Sequence, residues 1–245
     1  MGAIEWQIAS VKKIRQETPR VKSFTLDLPS FVSHKAGQHY DIRLTAADGY
    51  RAQRSYSIAS APEMMGEIDI TVDRIPDGEV STYLHDVLVE GDLIEVRGPI
   101  GGYFVWEAAL GGPLLLVSGG SGIVPLMSML RHRFAAGSRA DCHLLASWRT
   151  FDDIIYSAEL DNFNQSGSGF QAFQTLTRAQ PQDWKGYARR VDTQMLAEVA
   201  GPLGKQVKVF ICGPTAFVEA AADSLAEAGT PVAQIKTERF GPTGN

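Results

Sequence analysis

Cysteine is scarce: the 245 residues contain two, Cys142 and Cys212, and no C-x-x-C pair. Two thiolates cannot hold a four-cysteine iron–sulfur cluster. Two cysteines so far apart are not expected to pair in a reducing compartment. The histidines His34, His39, His85, His132 and His143 follow no metal-ligand spacing, so no metal centre is expected and each reads as a surface or locally satisfied residue. No apolar run reaches the roughly 18 residues that suggest a membrane-spanning helix. The N-terminus lacks the basic-then-apolar layout of a secretion signal. Met1-Gly2-Ala3-Ile4-Glu5-Trp6 also lacks the Ser or Thr of a myristoylation site. Positive charge is not in excess either: 23 Lys and Arg against 28 Asp and Glu leave a net charge of −5. That excludes the basic stripe of a nucleic-acid binder. A cytoplasmic chain is expected, and 44% hydrophobic residues are enough for one large core or two smaller ones.

What is present falls into two patterns. Residues 4–105 predict short strands at Glu5–Lys12, Val21–Leu28, His39–Leu44, Gln53–Ala59, Glu67–Val72 and Leu93–Arg97. Turn signals such as Leu28-Pro29-Ser30, Ala47-Asp48-Gly49 and Glu90-Gly91-Asp92 separate them. This spacing suggests an antiparallel Greek-key β-barrel. One helix interrupts it near Ser81–Val87, with Ser81 as N-cap. The dense Gly98-Pro99-Ile100-Gly101-Gly102 marks the last exit, and the domain boundary is set at 1–106 and 107–245. After Gly112 the pattern alternates. Strands are expected at Leu114–Ser118, Cys142–Ser147, Phe170–Thr175, Val207–Ile211 and Val232–Lys236. Helices are expected from Ile123 and over Asp152–Phe163, Gln194–Val199 and Thr215–Glu227. Strand-helix alternation with an all-apolar first strand predicts a doubly wound α/β parallel sheet, with ligands at the strands' carboxyl ends.

Five sets of residues carry candidate chemistry. In Arg54-Ser55-Tyr56-Ser57, strand alternation puts Arg54 and Tyr56 on one face and the serines on the other. Tyr56 can stack on a flat ring, Arg54 can fork onto a phosphate, and Ser57 can reach a ring nitrogen. The competing reading is an ordinary strand with a surface arginine. Gly78-Glu79-Val80-Ser81 opens a helix, where free N–H groups suit a pyrophosphate. Gly119-Gly120-Ser121-Gly122-Ile123-Val124-Pro125 is a glycine-rich strand-to-helix turn. It departs from the ordinary dinucleotide fingerprint, because Pro125 stands where a third glycine would be. Arg149, Arg178 and the pair Arg189-Arg190 follow successive strands and can converge on one anion, such as the 2′-phosphate of NADP. Cys212-Gly213-Pro214 places a small side chain at the sheet's edge, over the site.

In this order, and with Glu238-Arg239-Phe240 at the end, the motifs resemble the ferredoxin–NADP reductase family over nearly the whole chain. The resemblance implies an FAD-binding barrel followed by an NAD(P)-binding domain. It implies that Arg54 holds the FAD pyrophosphate, that Tyr56 stacks on the isoalloxazine and that Ser57 faces its N5. Ile58, Val72 and Arg74 would line the flavin and its phosphate tail, with Gly78, Val80, Ser81 and Thr82 closing on the pyrophosphate. Gly120, Gly122 and Pro125 would shape the NAD(P) pyrophosphate loop, and Arg149, Arg178 and Arg190 would grip a 2′-phosphate. Cys212, with Gly213 and Pro214, would meet the nicotinamide together with Glu238 and Phe240. Arg189 stands where the family has glycine, which leaves open which arginine points inward. Gly241–Asn245 run past Phe240, so Phe240 is not read as a terminal lid.

The implied activity is hydride transfer between NADPH and FAD, with NADH as the alternative nucleotide. Single electrons would then pass to a separate ferredoxin or flavodoxin, since no cysteines are present for a fused cluster. Ser57, Cys212 and Glu238 are the expected catalytic residues. Reduction of free flavin or quinone, and service as an electron-transfer subunit of a larger complex, remain open alternatives.

Overall fold

The computed structural model describes residues 4–241. The Met1–Ala3 start and the Pro242–Asn245 tail, on which the acylation and lid readings bear, lie outside the described residues. The chain divides into two compact units, Met1–Glu107 with Met127–Ala135, and Ala108–Leu126 with Ala136–Asn245.

The first unit is built on β1 (Gln7–Thr18), β2 (Val21–Asp27), β3 (His39–Thr45), β4 (Arg51–Ser57), β5 (Glu67–Asp73) and β6 (Leu93–Ile100). Their order is β4-β3-β6-β1-β2-β5, and every pairing is antiparallel. The jumps in that order make it a Greek key. An antiparallel bridge from Ile58 to Ile70 joins the end of β4 to β5 and closes the sheet into a barrel. Alternation fills the inside: Tyr40 and Ile42 of β3 and Ile68, Ile70 and Val72 of β5 are buried, with Phe24 and Val96 among them. Each fully buried Ile or Phe contributes about 1.5–3 kcal/mol relative to exposure.

Helix α1 (Glu79–Asp86) lays Val80 and Leu84 on the same core. It starts two residues earlier than expected, and Ser81 is not its cap. Gly78, in extended backbone, holds the N-cap position. Ser81 sits in the first turn, where its Oγ accepts from the Ile75 N–H at 3.2 Å and donates to the Gly78 carbonyl at 3.3 Å. The Pro76-Asp77-Gly78 turn therefore sets the helix start, and the serine staples that turn.

The second unit holds β7 (Leu114–Gly119), β8 (Cys142–Thr150), β9 (Phe170–Ala179), β10 (Lys208–Pro214) and β11 (Ile235–Phe240). They run parallel in the order β11-β10-β7-β8-β9. Every residue of β7 is buried, as a strand covered on both faces requires. Helices α2 (Ile123–Ala135), α3 (Ser157–Gln165), α4 (Thr193–Ala200) and α5 (Thr215–Glu227) alternate with the strands.

Three expectations need correction here. Phe151–Asp153 is a 3-10 turn rather than the start of α3. Asp153 accepts from the Thr150 N–H and hydroxyl at 2.9 and 2.8 Å, and left-handed Tyr156 (φ 61°) breaks the path before Ser157. Val232–Gln234 is likewise a 3-10 turn set off by Pro231, so the last strand runs Ile235–Phe240. Lastly, Cys212 does not lie at a lateral edge of the sheet: β10 is flanked by β11 and β7.

Candidate functional site

In the barrel unit, Arg54, Tyr56 and Ser57 stand on β4, which ends the sheet order. Helix α1 packs against β3, β4 and β5, so the Gly78–Thr82 start lies close to that strand. Arg54 is exposed; its Nη1 donates only to the neighbouring Gln53 carbonyl, and no carboxylate pairs with it among the described residues. Tyr56 is half-buried against the barrel core, and burial pushes its phenol well above the usual 10.0. It faces Tyr40 across the β3–β4 ladder. Tyr40 is fully buried, its phenol is pushed up to about 12 by burial, and its Oη has no hydrogen-bond partner.

The expected flavin-lining residues separate into kinds. Ile58, Val72 and Val80 are core side chains, 0 to 1% exposed, so they offer a ligand little but backbone. Arg74 is held by Asp86 in a two-point fork, 2.7 and 3.2 Å, which also holds the Asp86 carboxyl below its ordinary value. Around Gly78 a Cβ would lie 2.6 Å from Ser81 Oγ and 3.1 Å from the Ile75 carbonyl, so a larger residue would push Ser81 off the turn it staples. No side chain caps α1, which leaves its first N–H groups available to an anion. A free guanidinium, an aromatic face and an uncapped helix start are a donor set that fits a flavin dinucleotide.

In the α/β unit the strand order reverses between β7 and β10, the switch point where such sheets take ligands. Both turns leaving it are glycine-rich. Gly120 has φ 55°, which favours glycine. Gly122 is set against β10: a Cβ there would lie 2.2 Å from the Cys212 carbonyl oxygen. Gly213 backs onto Phe217 and Gly119 in the same way, while Pro125 is buried in the first turn of α2. A turn in which backbone meets backbone at Gly122, with the Phe217 ring behind Gly119 and Gly213, fits a pyrophosphate.

The ladder sets Cys212 level with Glu238 on β11 and with Ser118 on β7, and Pro214 level with exposed Phe240. In-register residues of parallel strands point to the same face. Cys212 is 2% exposed; burial, and then the Glu238 charge, push its thiol well above 9.0. It is therefore a neutral, polarisable contact rather than a thiolate nucleophile. The motif reading passed over Ser118, whose fully buried Oγ has no partner in the structure. Its one signal in the chain is that it breaks the apolar run after Val117.

Arg149 and Arg178 stand exposed at the carboxyl ends of β8 and β9. The segment after Trp184 runs parallel to β9 through a Thr175–Tyr187 bridge, and Arg178 and Arg190 each lie three residues beyond it. Arg189 is tied to Asp192 at 2.6 Å, whereas Arg149, Arg178 and Arg190 have no carboxylate partner among the described residues. Of the two arginines the sequence left open, Arg190 is the one without a carboxylate partner among the described residues. No group of three or more His, Cys, Asp or Glu among the described residues could hold a metal ion. No helix among them is long and apolar enough to cross a membrane.

Comparison with known proteins agrees with this division. Residues 8–105 match the oxidoreductase FAD-binding domain and residues 116–223 the oxidoreductase NAD-binding domain. The chain is 34% identical over 211 residues to ferredoxin–NADP reductase B of Sorangium cellulosum, covering 84% of this chain and 85% of that one. It is 34% identical over 234 residues to the glycine betaine monooxygenase reductase subunit of Pseudomonas aeruginosa, covering 94% of this chain. It spans 63% of that relative's length. Among solved structures, a ferredoxin NADP+ reductase from Neisseria gonorrhoeae with bound FAD and NADP shares the fold. The TM-score is 0.83 at 22% identity, over 96% of this chain and 98% of that one.

Proposed function

Since the chain belongs to the ferredoxin–NADP reductase family of FAD- and NAD-binding oxidoreductases, we propose that it moves electrons from NADPH through FAD to a separate acceptor protein. When bound, FAD would supply the chemistry that links a two-electron hydride to single-electron release. The chain's own residues bind and orient. Tyr56 offers a ring face to the isoalloxazine, and Ser57 lies next to it on β4. Arg54 and the N–H groups after Gly78 neutralise the pyrophosphate, with Ser81 fixing the turn that presents them. Arg74, already forked onto Asp86, shapes the wall rather than carrying the phosphate charge.

On the dinucleotide side, Gly120 and Gly122 let the backbone approach the second pyrophosphate. Arg149, Arg178 and Arg190 take the 2′-phosphate, which favours NADPH over NADH. Cys212 presents a small neutral thiol to the nicotinamide, and Glu238, level with it, is the charged group that orients the carboxamide side. The acceptor we propose is a ferredoxin, a flavodoxin or an oxygenase component, met in the cytoplasm.

The observation that carries this reading is the cradle at the switch point, with Gly122 against Cys212 and unneutralised arginines further along the same rim. Anaerobic titration with NADPH, followed in the visible, tests it. Stoichiometric bleaching of bound flavin is expected, with a higher kcat/KM for NADPH than for NADH. A colourless protein that takes up no FAD, or a flavin that NADPH leaves oxidised, would reject it.

A further inference from the structure

The outer wall of the barrel carries a buried charged cluster that the cofactor reading does not use. Asp41, on β3, is 5% exposed although it faces away from the core. Its ladder neighbours are Ser55 on β4 and Arg97 on β6. Asp41 Oδ1 accepts from Ser55 Oγ at 2.6 Å, and Oδ2 accepts from Gln53 Nε2 at 3.0 Å and Arg97 Nη2 at 2.6 Å. Burial works to raise this carboxyl, but the hydrogen bonds from Ser55 and Arg97 outweigh it and hold it below the usual 3.8. Arg97 is steadied in turn. Its guanidinium lies 4.8 Å from the Trp6 ring centre, with that of Arg43 at 4.0 Å, and Arg43 forks onto Glu95 at 2.6 and 3.0 Å.

The cluster grips a strand that needs gripping. β4 ends the sheet order and has β3 as its one ladder partner along Arg51–Ser57. Only Ala52 within it is fully buried. Gln53 and Ser55, the two side chains Asp41 holds, alternate with Arg54 and Tyr56, which point to the opposite face. Fixing 53 and 55 from outside fixes the backbone from which 54 and 56 project.

We propose that Asp41 is a positioning residue for flavin binding: its carboxylate clamps Gln53 and Ser55 to Arg97 and thereby sets the aim of Arg54 and Tyr56. This rests on the flavin reading above. The carboxylate's charge is what an amide cannot supply: asparagine could keep its oxygen on Arg97 and Gln53 and turn its NH2 to the Ser55 hydroxyl, but it would leave the Arg97 guanidinium without its counter-charge.

The test compares D41N and S55A with the wild type, using FAD itself as the probe. D41N is expected to weaken FAD binding about tenfold to a hundredfold, as loss of charged hydrogen bonds does. S55A, which leaves the Asp41–Arg97 pair intact, should weaken it about threefold to tenfold. Both should change the quenching of bound-flavin fluorescence, which reports the stack on Tyr56. In the apoproteins, amide exchange should quicken along Arg51–Ser57 while β2 and β5 keep their wild-type protection. FAD affinity and β4 exchange at wild-type levels in both variants would overturn the clamp alone, as would exchange that quickens evenly round the barrel. Wild-type protein that takes up no FAD would overturn the flavin reading and the clamp with it.

Discussion

Replacing Gly122 with alanine tests whether the glycine turn is required by space or by backbone freedom, because Gly120 provides the contrast. At 122 an ideal Cβ falls 2.2 Å from the Cys212 carbonyl oxygen, 2.5 Å from its carbon and 2.8 Å from the Gly213 nitrogen. All three are main-chain atoms, so no side chain can swing aside. An ordinary carbon–oxygen contact is about 3.3 Å, so the two turns would have to part by roughly 1 Å. β7 and β10 are hydrogen-bonded from Lys208–Leu114 to Cys212–Ser118, immediately beneath the turns. Overpacking of this kind costs about 1–3 kcal/mol. Gly120 differs: its φ is 55°, but a Cβ would meet nothing within 4 Å. Alanine there costs about 1 kcal/mol of backbone strain and moves no neighbour.

The expected result is a G122A protein about 2 kcal/mol less stable, with NADP+ binding weakened by about tenfold or more, since a 1 Å displacement at 1.4 kcal/mol per decade readily reaches that. G120A should lose about half as much stability and keep its NADP+ affinity within roughly threefold. Urea transitions by circular dichroism and calorimetric titration with NADP+ measure both. A G122A protein that matches G120A in stability and the wild type in affinity would refute the backbone-contact argument.

The remaining expectations are briefer. R178A should lower kcat/KM for NADPH by about tenfold to a hundredfold while leaving NADH within roughly twofold; R189A, whose guanidinium is occupied by Asp192, should change neither. C212S should slow hydride transfer in stopped flow yet leave FAD bound. Because the thiol is held protonated, wild-type rates should stay flat through pH 8, and an iodoacetamide-sensitive rate at that pH would contradict a neutral Cys212. Burial lowers the pKa of His34, His39 and His85 beneath the ordinary 6.5. The unfolded chain then binds protons first on acidification. Stability should therefore decline as pH falls below 6.5 and level off beneath the folded-state values. His34→Gln should remove part of that slope in urea titrations at stepped pH; an unchanged slope would show that His34 titrates alike in the folded and unfolded chain.

Periodicity made the architecture legible, because it is a direct record of which faces are buried. The run Leu114–Val117 announced a strand covered on both sides, and Gly119–Pro125 announced the turn after it. Where the reading slipped, a local signal competed with a stronger one. Ser81 looks like a cap because N-cap serines are common, but Pro76-Asp77-Gly78 turns the chain earlier. Val232 and Ile235 look like one strand until Pro231 is seen to open a turn, and that shift is what brings Glu238 level with Cys212. Ser118 left only a break in an apolar run, and Asp41 was not legible at all: an aspartate amid barrel strands reads as a solvated face, and no pattern of spacing reveals that Gln53, Ser55 and Arg97 converge on it.

The two units meet one requirement by opposite means, and the difference follows from strand environment. In the parallel sheet the central strands β7, β8 and β10 are mostly buried, which leaves their carboxyl ends as the part a ligand can reach. On these central strands chemistry is confined to the carboxyl rim, groups are aligned by ladder register, and room is made by removing side chains, hence glycine at 122 and 213. In the barrel the groups proposed to meet the ligand stand on β4, which has little core of its own to anchor it. There, on the proposal above, alignment is supplied by polar ties on the far face, with the Asp41 charge set against Arg97. Substitutions should differ accordingly. At the rim of the parallel sheet, enlarging a residue does the damage; on the barrel wall, deleting a hydrogen-bond acceptor does.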